Sequence, residues 1–226
     1  MKVLHISDTH GFHDQLKIPK DIDIIIHSGD ATNYNDYRNE KEFYDFVEWY
    51  SLVPVQHKIY VAGNHDWYIA NFKKQSEKVL YDNNIIYLNK SEVTIEGTKI
   101  YGDPTTPTFG NWLFMANRNK IHKHWELIPE DADVLVTHGP PYGVLDLALS
   151  PKGYDIIVQV GCKSLSNKLQ ELPKLTHHMF GHIHDNNGSK NSGVLIRDGI
   201  TYSNASAVKD EQFEDGIFYQ GNIFNI

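Results

Sequence analysis

Five apolar runs in this chain each end on a short polar cluster built from Asp, Asn, His and Gly. KVLHIS runs into SDTH (7–10), and DIDIIIHSGD closes on HSGD (27–30). KIYVA precedes GNHD (63–66), ADVLVTHGPP holds VTHGPP (136–141), and HHMFGHIH ends in FGHIH (180–184). Runs this apolar and β-branched are what strands buried on both faces require. Between the early runs, residues 39–53 carry Phe43, Phe46, Val47 and Tyr50 at helical spacing before Pro54, and residues 67–82 read as a second helix. Strand, helix, strand is the rhythm of right-handed parallel crossovers. Parallel sheets form their ligand sites at the carboxyl ends of strands, so clusters far apart in sequence are expected to meet along one sheet edge.

The rhythm then changes. Residues 92–102 alternate around a mid-run Gly, a hairpin signal. Residues 103–114 read as a loop rich in Pro, Thr and aromatics, 117–128 as a helix, and 132–141 as a strand stopped by Gly-Pro-Pro. VLDLALS (144–150) is expected as a short helix or loop, and 162–172 as a helix before the HHMFGHIH strand. GVLIRDGITYSNAS and DGIFYQGNIFNI read as antiparallel strands joined by Gly turns. With no low-complexity tract, repeat or dividing linker, the expectation is one mixed α/β (α+β) domain over 1–226, with two packed mixed β-sheets flanked by helices.

Composition narrows the partners. A 226-residue chain with 40% hydrophobic residues can bury a substantial core. A formal charge of −8 without a basic run argues against stable binding of long nucleic acid by phosphate neutralisation. A small phosphate substrate stays open, because bound cations add positive charge that the count omits. Cys162 is the single cysteine, so no internal disulfide forms and thiolate metal sites are disfavoured; a reducing, cytoplasmic setting fits. The N-terminal apolar run is soon interrupted by Asp8 and His10, and no stretch approaches membrane-spanning length. Monomer and homodimer are both open.

The clusters hold hard-to-borderline ligands suited to Mn, Fe, Zn, Ni or Co rather than thiophilic copper. Asp8 and His10, two apart on an extended segment, can face one side. Asp30 has two oxygens with which to bridge, and Asn64, His138, His182 and His184 complete a set large enough for two divalent metal ions about 3.5–4 Å apart. Gly29, Gly63, Gly139 and Gly181 adjoin these residues, where tight turns or close approach need permissive backbone. Any one cluster alone reads as an ordinary turn; their joint occurrence points to a metal site.

The order Asp-x-His, Gly-Asp, Gly-Asn-His-Asp, His-Gly, Gly-His-x-His over residues 8–184 resembles the calcineurin-like metallophosphoesterase superfamily. IYGDPTTPTFGNW, LVTHGPPYGVLD, VGCKSL and TYSNAS are similar to the metallophosphoesterase-domain-containing proteins, relatives of the class III cyclic nucleotide phosphodiesterases. The resemblance implies an αββα sandwich. It also implies that Asp8, His10 and His184 hold one metal, that Asn64, His138 and His182 hold the other, and that Asp30 bridges them. His65 would be a non-ligand histidine assisting the leaving oxygen, with Asp66 orienting or polarising it. Some vertebrate members carry Gly where this chain keeps His182, so a fully loaded pair is expected. The implied activity is hydrolysis of phosphodiesters, of nucleotides or cyclic nucleotides, by a metal-bridging hydroxide, with Mn²⁺ as the first choice of metal. The alternatives are a broad phosphomonoesterase, a nuclease, or a non-catalytic metal-binding scaffold.

Other residues carry weaker signals. His5 and His27 read as core or supporting groups, and His57, His122, His124, His177 and His178 as surface or packed residues. His13 follows the first ligand loop and is a pocket-lining candidate. In FGNWLF (109–114), Trp112 reads as packing or as a cap over the site. Asp185, Asn186 and Asn187 are substrate-contact candidates, with a polar turn as the simpler reading.

Overall fold

The computed structural model describes residues 1–150, 153–186, 188–210 and 215–226. Two main sheets face each other. The first orders Asn222–Asn225, Lys2–Ile6, Ile24–His27, His57–Tyr60 and Ile85–Tyr87; the last four are parallel, and the C-terminal strand is antiparallel at the edge. The second orders Gly193–Arg197, Ile200–Asn204, His177–Phe180, Val134–Thr137, Thr98–Asp103 and Ser91–Ile95, with a parallel centre and an antiparallel strand at each edge.

Side-chain alternation along the strands builds three apolar layers. Val3, Ile24, Ile26, Ile59, Val134, Val136 and Met179 fill the space between the sheets. Leu4, Ile6 and Ile25 face the other way, onto Phe43, Phe46, Val47 and Tyr50 of the Asn39–Leu52 helix. Leu135, Phe180 and Tyr202 pack on Trp125 and on Leu165 and Leu169 of the Lys163–Leu169 helix. The result is the expected mixed α/β architecture, two packed mixed sheets flanked by helices. Among the described residues, no helix is long and apolar enough to cross a membrane.

Several local expectations are corrected. Within 144–150, Leu147–Ser150 is a strand, paired antiparallel with Gly153–Gln159, whose β-branched run favours extended structure. The segment 67–82 is two helices, Trp67–Asn71 and Lys73–Asp82. They part at Phe72 (φ −122°, ψ 48°), whose ring stacks on Tyr68. In 117–128 only His122–Trp125 is regular α-helix. The 103–114 loop is pinned by a short pair, Thr106–Pro107 with Met115–Ala116. The last strand joins the first sheet rather than the hairpin 193–204.

Candidate metal centre

The parallel strands of both sheets end at one edge, and the loops that follow are laced together there. Asp8 N–H donates to Gly29 O (2.9 Å), His10 N–H to Asp30 O (3.0 Å) and Gly181 N–H to His138 O (2.8 Å). Asp8, His10, Asp30 and His182 all hold left-handed φ values of 51°, 45°, 55° and 70°. Each such non-glycine conformation costs of order 1–3 kcal/mol and concentrates at functional sites. The glycines make room. A Cβ on Gly181 would collide with Asp8 Oδ2 and Ser7 Oγ, and one on Gly63 with Asp30 Oδ1.

Two clusters result. Asp8, His10 and His184 bring one potential ligand atom each within 4.8 Å of one another, as do Asp30, His138 and His182. Asn64 Oδ1 lies 3.0 Å from His138 Nε2, in the second cluster. Asp30 Oδ2 stands between them, 3.2 Å from His138 Nε2 and 3.9 Å from His10 Nε2. All seven candidate ligands therefore converge.

Supporting bonds orient the donors. His138 Nδ1 donates to Ser28 O (2.9 Å), so Nε2 is the nitrogen turned toward the cluster. His184 Nδ1 lies 2.9 Å from Asp210 Oδ1, again directing Nε2 inward. Asp8 accepts from the His182 N–H (2.9 Å) and the Ser206 hydroxyl (2.9 Å). His5 bridges the sheets, Nδ1 to Ser203 Oγ (2.6 Å) and Nε2 to Ser28 Oγ (2.9 Å), so it supports the Ser28 segment that orients His138. His27 contacts Thr9 and His178 contacts Thr137; both rings are buried supports.

The electrostatics fit cations. Asp8 and Asp30 are buried, and among the described residues neither has a Lys or Arg partner. Buried carboxylates need compensation. Burial pushes Asp8 up, yet the hydrogen bond and charge of His184, with the charges of His138 and His10, hold it well below its ordinary value. Burial likewise opposes the charge on His138 and His184. Asp30 nonetheless raises His138 to about 9, and Asp210 with Asp8 raises His184 to about 10. Burial lowers His10 and His182 to about 3, leaving them neutral and able to coordinate. An O/N donor set with two buried carboxylates and neutral imidazoles is what two divalent cations require.

His65 reaches the same space. Its Nδ1 donates to Asn33 O (2.8 Å), its N–H donates to Asp30 Oδ1 (2.7 Å), and its ring lies 4.8 Å from that of His10. One of its ring nitrogens lies within the same 4.8 Å ligand range of His10 and Asp30. The expected link from Asp66 to His65 is corrected: the Asp66 carboxylate accepts from Asp30 N, Gly63 N, Thr32 N and Thr32 Oγ1, while Asn33 O orients the His65 ring. A buried carboxylate surrounded by unpaired N–H groups satisfies those first.

The substrate-contact candidates divide. Trp112 lies over His65, ring centroids 4.5 Å apart. His13 lines a cleft of about 740 Å³ with Gly11, Tyr34, Tyr37 and Arg38 beside the first ligand loop, but its ring is buried against Phe46 and Trp49. Asn186 is occupied by Leu147 O (3.4 Å) and Ser189 Oγ (2.9 Å), and Asp185 by the N–H groups of Asn191 and Ser192, so this stretch is the polar turn. Asn187 lies outside the described residues. Sequence reasoning missed Asp210, Ser206 and Asn39. Asn39 Nδ2 donates to His65 O (2.9 Å) and Thr32 Oγ1 (2.8 Å), and its Oδ1 accepts from Tyr68 N–H (2.8 Å).

Comparison with known proteins agrees. A family model for calcineurin-like phosphoesterase matches residues 1–186. Metallophosphoesterase domain-containing protein 1 of Homo sapiens is 37% identical over 223 residues, covering 89% of this chain and 64% of that protein; the Mus musculus protein matches equally. The chain thus spans a little under two thirds of those relatives. A Caenorhabditis elegans relative is 34% identical over 202 residues, covering 83% of this chain and 70% of its own length. One solved crystal structure superposes with a TM-score of 0.64 at 15% identity, covering 93% of this chain and 91% of that one, a likeness of fold. With the family model covering most of its length, and a candidate binuclear site where its strands end, this chain belongs to the calcineurin-like phosphoesterase family.

Proposed function

We propose that the protein is a metal-dependent phosphoric ester hydrolase that cleaves phosphodiesters of nucleotides or cyclic nucleotides, working as one unit over 1–226 in a reducing, cytoplasmic setting. The observation that carries the reading is the position of Asp30 Oδ2 between two clusters of buried ligands, with the His65 ring beside them. Asp8, His10 and His184 would hold one divalent cation, Asn64, His138 and His182 the other, and Asp30 both; Mn²⁺ suits these donors. When bound, the cations supply Lewis-acid charge for the phosphoryl oxygens and make water nucleophilic near neutral pH.

The chain's own residues do the rest. His65 has committed Nδ1 to Asn33 O, so Nε2 is the nitrogen that meets substrate. It donates to the leaving oxygen when the ring carries its second proton, a role that typically contributes ~10²–10⁴ in rate. Asn39 and Thr32 hold the His65 carbonyl and so fix the backbone from which the ring projects.

The test is turnover of bis(p-nitrophenyl) phosphate by protein reconstituted with Mn²⁺, against a metal-stripped control. Asp30→Ala is expected to lose both metals and activity. His65→Ala is expected to keep both metals by elemental analysis while turnover falls; parallel loss of metal would make His65 a ligand instead. No turnover above the stripped control would favour a metal-binding scaffold.

A further inference from the structure

Residues 104–116 form a loop over the candidate centre, and its base is fixed. Thr106 N–H donates to Phe114 O (2.8 Å) and Thr108 N–H to Ala116 O (3.0 Å). Above that base the tip presents two aromatic rings to solvent, Phe109 (54% exposed) and Trp112 (36% exposed). A single exposed aromatic needs no explanation. Here two, from one short tip, lie against opposite parts of the same buried polar site. Trp112 is 4.5 Å from the His65 ring at an interplanar angle of 34°, and Phe109 is 5.1 Å from the His182 ring at 49°. A Cβ on Gly110 would lie 3.1 Å from Trp112 Cδ1, so the tip's backbone closes onto the indole edge and supports it. His182 belongs to the second cluster and His65 is the proposed donor to the leaving oxygen, so the two rings lie beside the ground that an organic group on a phosphorus held there would occupy.

We propose that Phe109 and Trp112 form an aromatic clamp that receives the nucleobase of a mononucleotide substrate and gives the site its preference for base-bearing over aliphatic phosphate esters. The proposal rests on the phosphoesterase reading above. Neither ring supplies a hydrogen-bond pattern that would read base edges, so the clamp favours planar bases as a class, as stacking does. Stacking contributes ~1–3 kcal/mol per base, a preference of roughly 5- to 150-fold.

Two paired comparisons test it in the Mn²⁺-loaded full chain. The first is calorimetric binding of adenosine 5′-phosphate against ribose 5-phosphate. The second is kcat/KM for a nucleoside 2′,3′-cyclic phosphate against ethylene cyclic phosphate. Both ratios are expected to favour the base roughly 5- to 150-fold. They should collapse toward one in Phe109→Ala with Trp112→Ala, and be largely kept in Trp112→Phe. Both substitutions are at an exposed tip, and a circular-dichroism melt matching the parent verifies the fold. Ratios near one in the parent, or ratios unchanged in the double variant, would overturn the clamp. If the binding ratio behaves as expected but no ester turns over, the hydrolase reading falls and the aromatic site stands; turnover without any base preference gives the reverse.

Discussion

Asp66 separates two views of the GNHD cluster, and its substitutions give opposite answers under each. The side chain is 1% exposed. It accepts from Asp30 N–H (3.0 Å), Gly63 N–H (2.6 Å), Thr32 N–H (3.3 Å) and the Thr32 hydroxyl (2.9 Å). In Asp66→Ala the hydroxyl keeps the His65 carbonyl as a partner (3.1 Å), but three N–H groups lose theirs. Each unpaired buried donor costs ~1–3 kcal/mol, so the gross loss is about 6 kcal/mol. Against it stands a gain. Burial and the Asp30 charge raise the Asp66 carboxyl to about 6, so ionising it at pH 7 costs ~3 kcal/mol, which any neutral substitute relieves. The net expectation for Ala is a loss of about 3 kcal/mol, or ~6–12 °C in Tm for a chain of this size. In Asp66→Asn the amide oxygen retains Asp30 N and Gly63 N, and the amide nitrogen donates to Thr32 Oγ1. Only the Thr32 N–H is left, so the relief and the loss cancel to within about 1–2 kcal/mol. Melting is followed by circular dichroism on metal-stripped protein, so that cation binding does not mask the difference. Turnover is measured separately on reloaded protein. An alanine variant melting within about 2 °C of the parent would refute the scaffold role. So would an asparagine variant of parental Tm whose turnover falls ~100-fold, because the charge itself would then act on the chemistry.

Three further outcomes follow from the site. Gly181→Ala adds a methyl where Asp8 Oδ2 and Ser7 Oγ stand, and Asp8 is anchored by His182 N and Ser206, so the carboxylate cannot yield freely. Overpacking of ~1–3 kcal/mol should weaken metal affinity roughly 5- to 150-fold by competition with a chelating dye, and unchanged affinity would remove Asp8 from the ligand set. Asp210→Asn should lower metal affinity ~10–100-fold through His184, and an unaffected Kd would show that the carboxylate is not needed there. In the cation-free protein His138 and His184 are raised to about 9 and about 10, so both carry a proton at pH 7 that coordination must displace. Loading should release about two protons, and affinity should climb as pH rises toward those values; calorimetry in buffers of different ionisation heat measures the release, and none would mean these rings are already neutral before cations bind.

The candidate ligands were legible because each is set by local chain: a buried strand that stops, a glycine, and a donor within one or two residues. The topology then does what parallel sheets do, bringing Asp8, Asp30 and Asn64 from one sheet to face His138 and His184 from the other. What supports them was not legible, because it comes from elsewhere in the chain. Asp210 reaches His184 only because the 209–210 segment is bonded to Asp185, through Asp210 N–H to Asp185 O (3.1 Å). Asn39 opens a helix, where a sequence reader expects a cap, but it spends its side chain on His65 O and Tyr68 N. Ser206 did lie within TYSNAS, a stretch the sequence had marked, and its hydroxyl on Asp8 gives that mark a physical cause.

The same division explains Asp66 and Trp112. Both sit near histidines, but chain proximity set the wrong expectation for one and left the other open. Asp66 adjoins His65 in sequence yet serves the backbone of Asp30 and Thr32, since a buried carboxylate is drawn to the densest set of unpaired N–H donors. Trp112 is remote in sequence yet lies on the His65 ring, because the 104–116 loop, pinned at its base, carries it there from the other sheet. In this fold, then, adjacency in sequence predicts what can bind a cation, and only the packing of loops from both sheets decides what a substrate would touch.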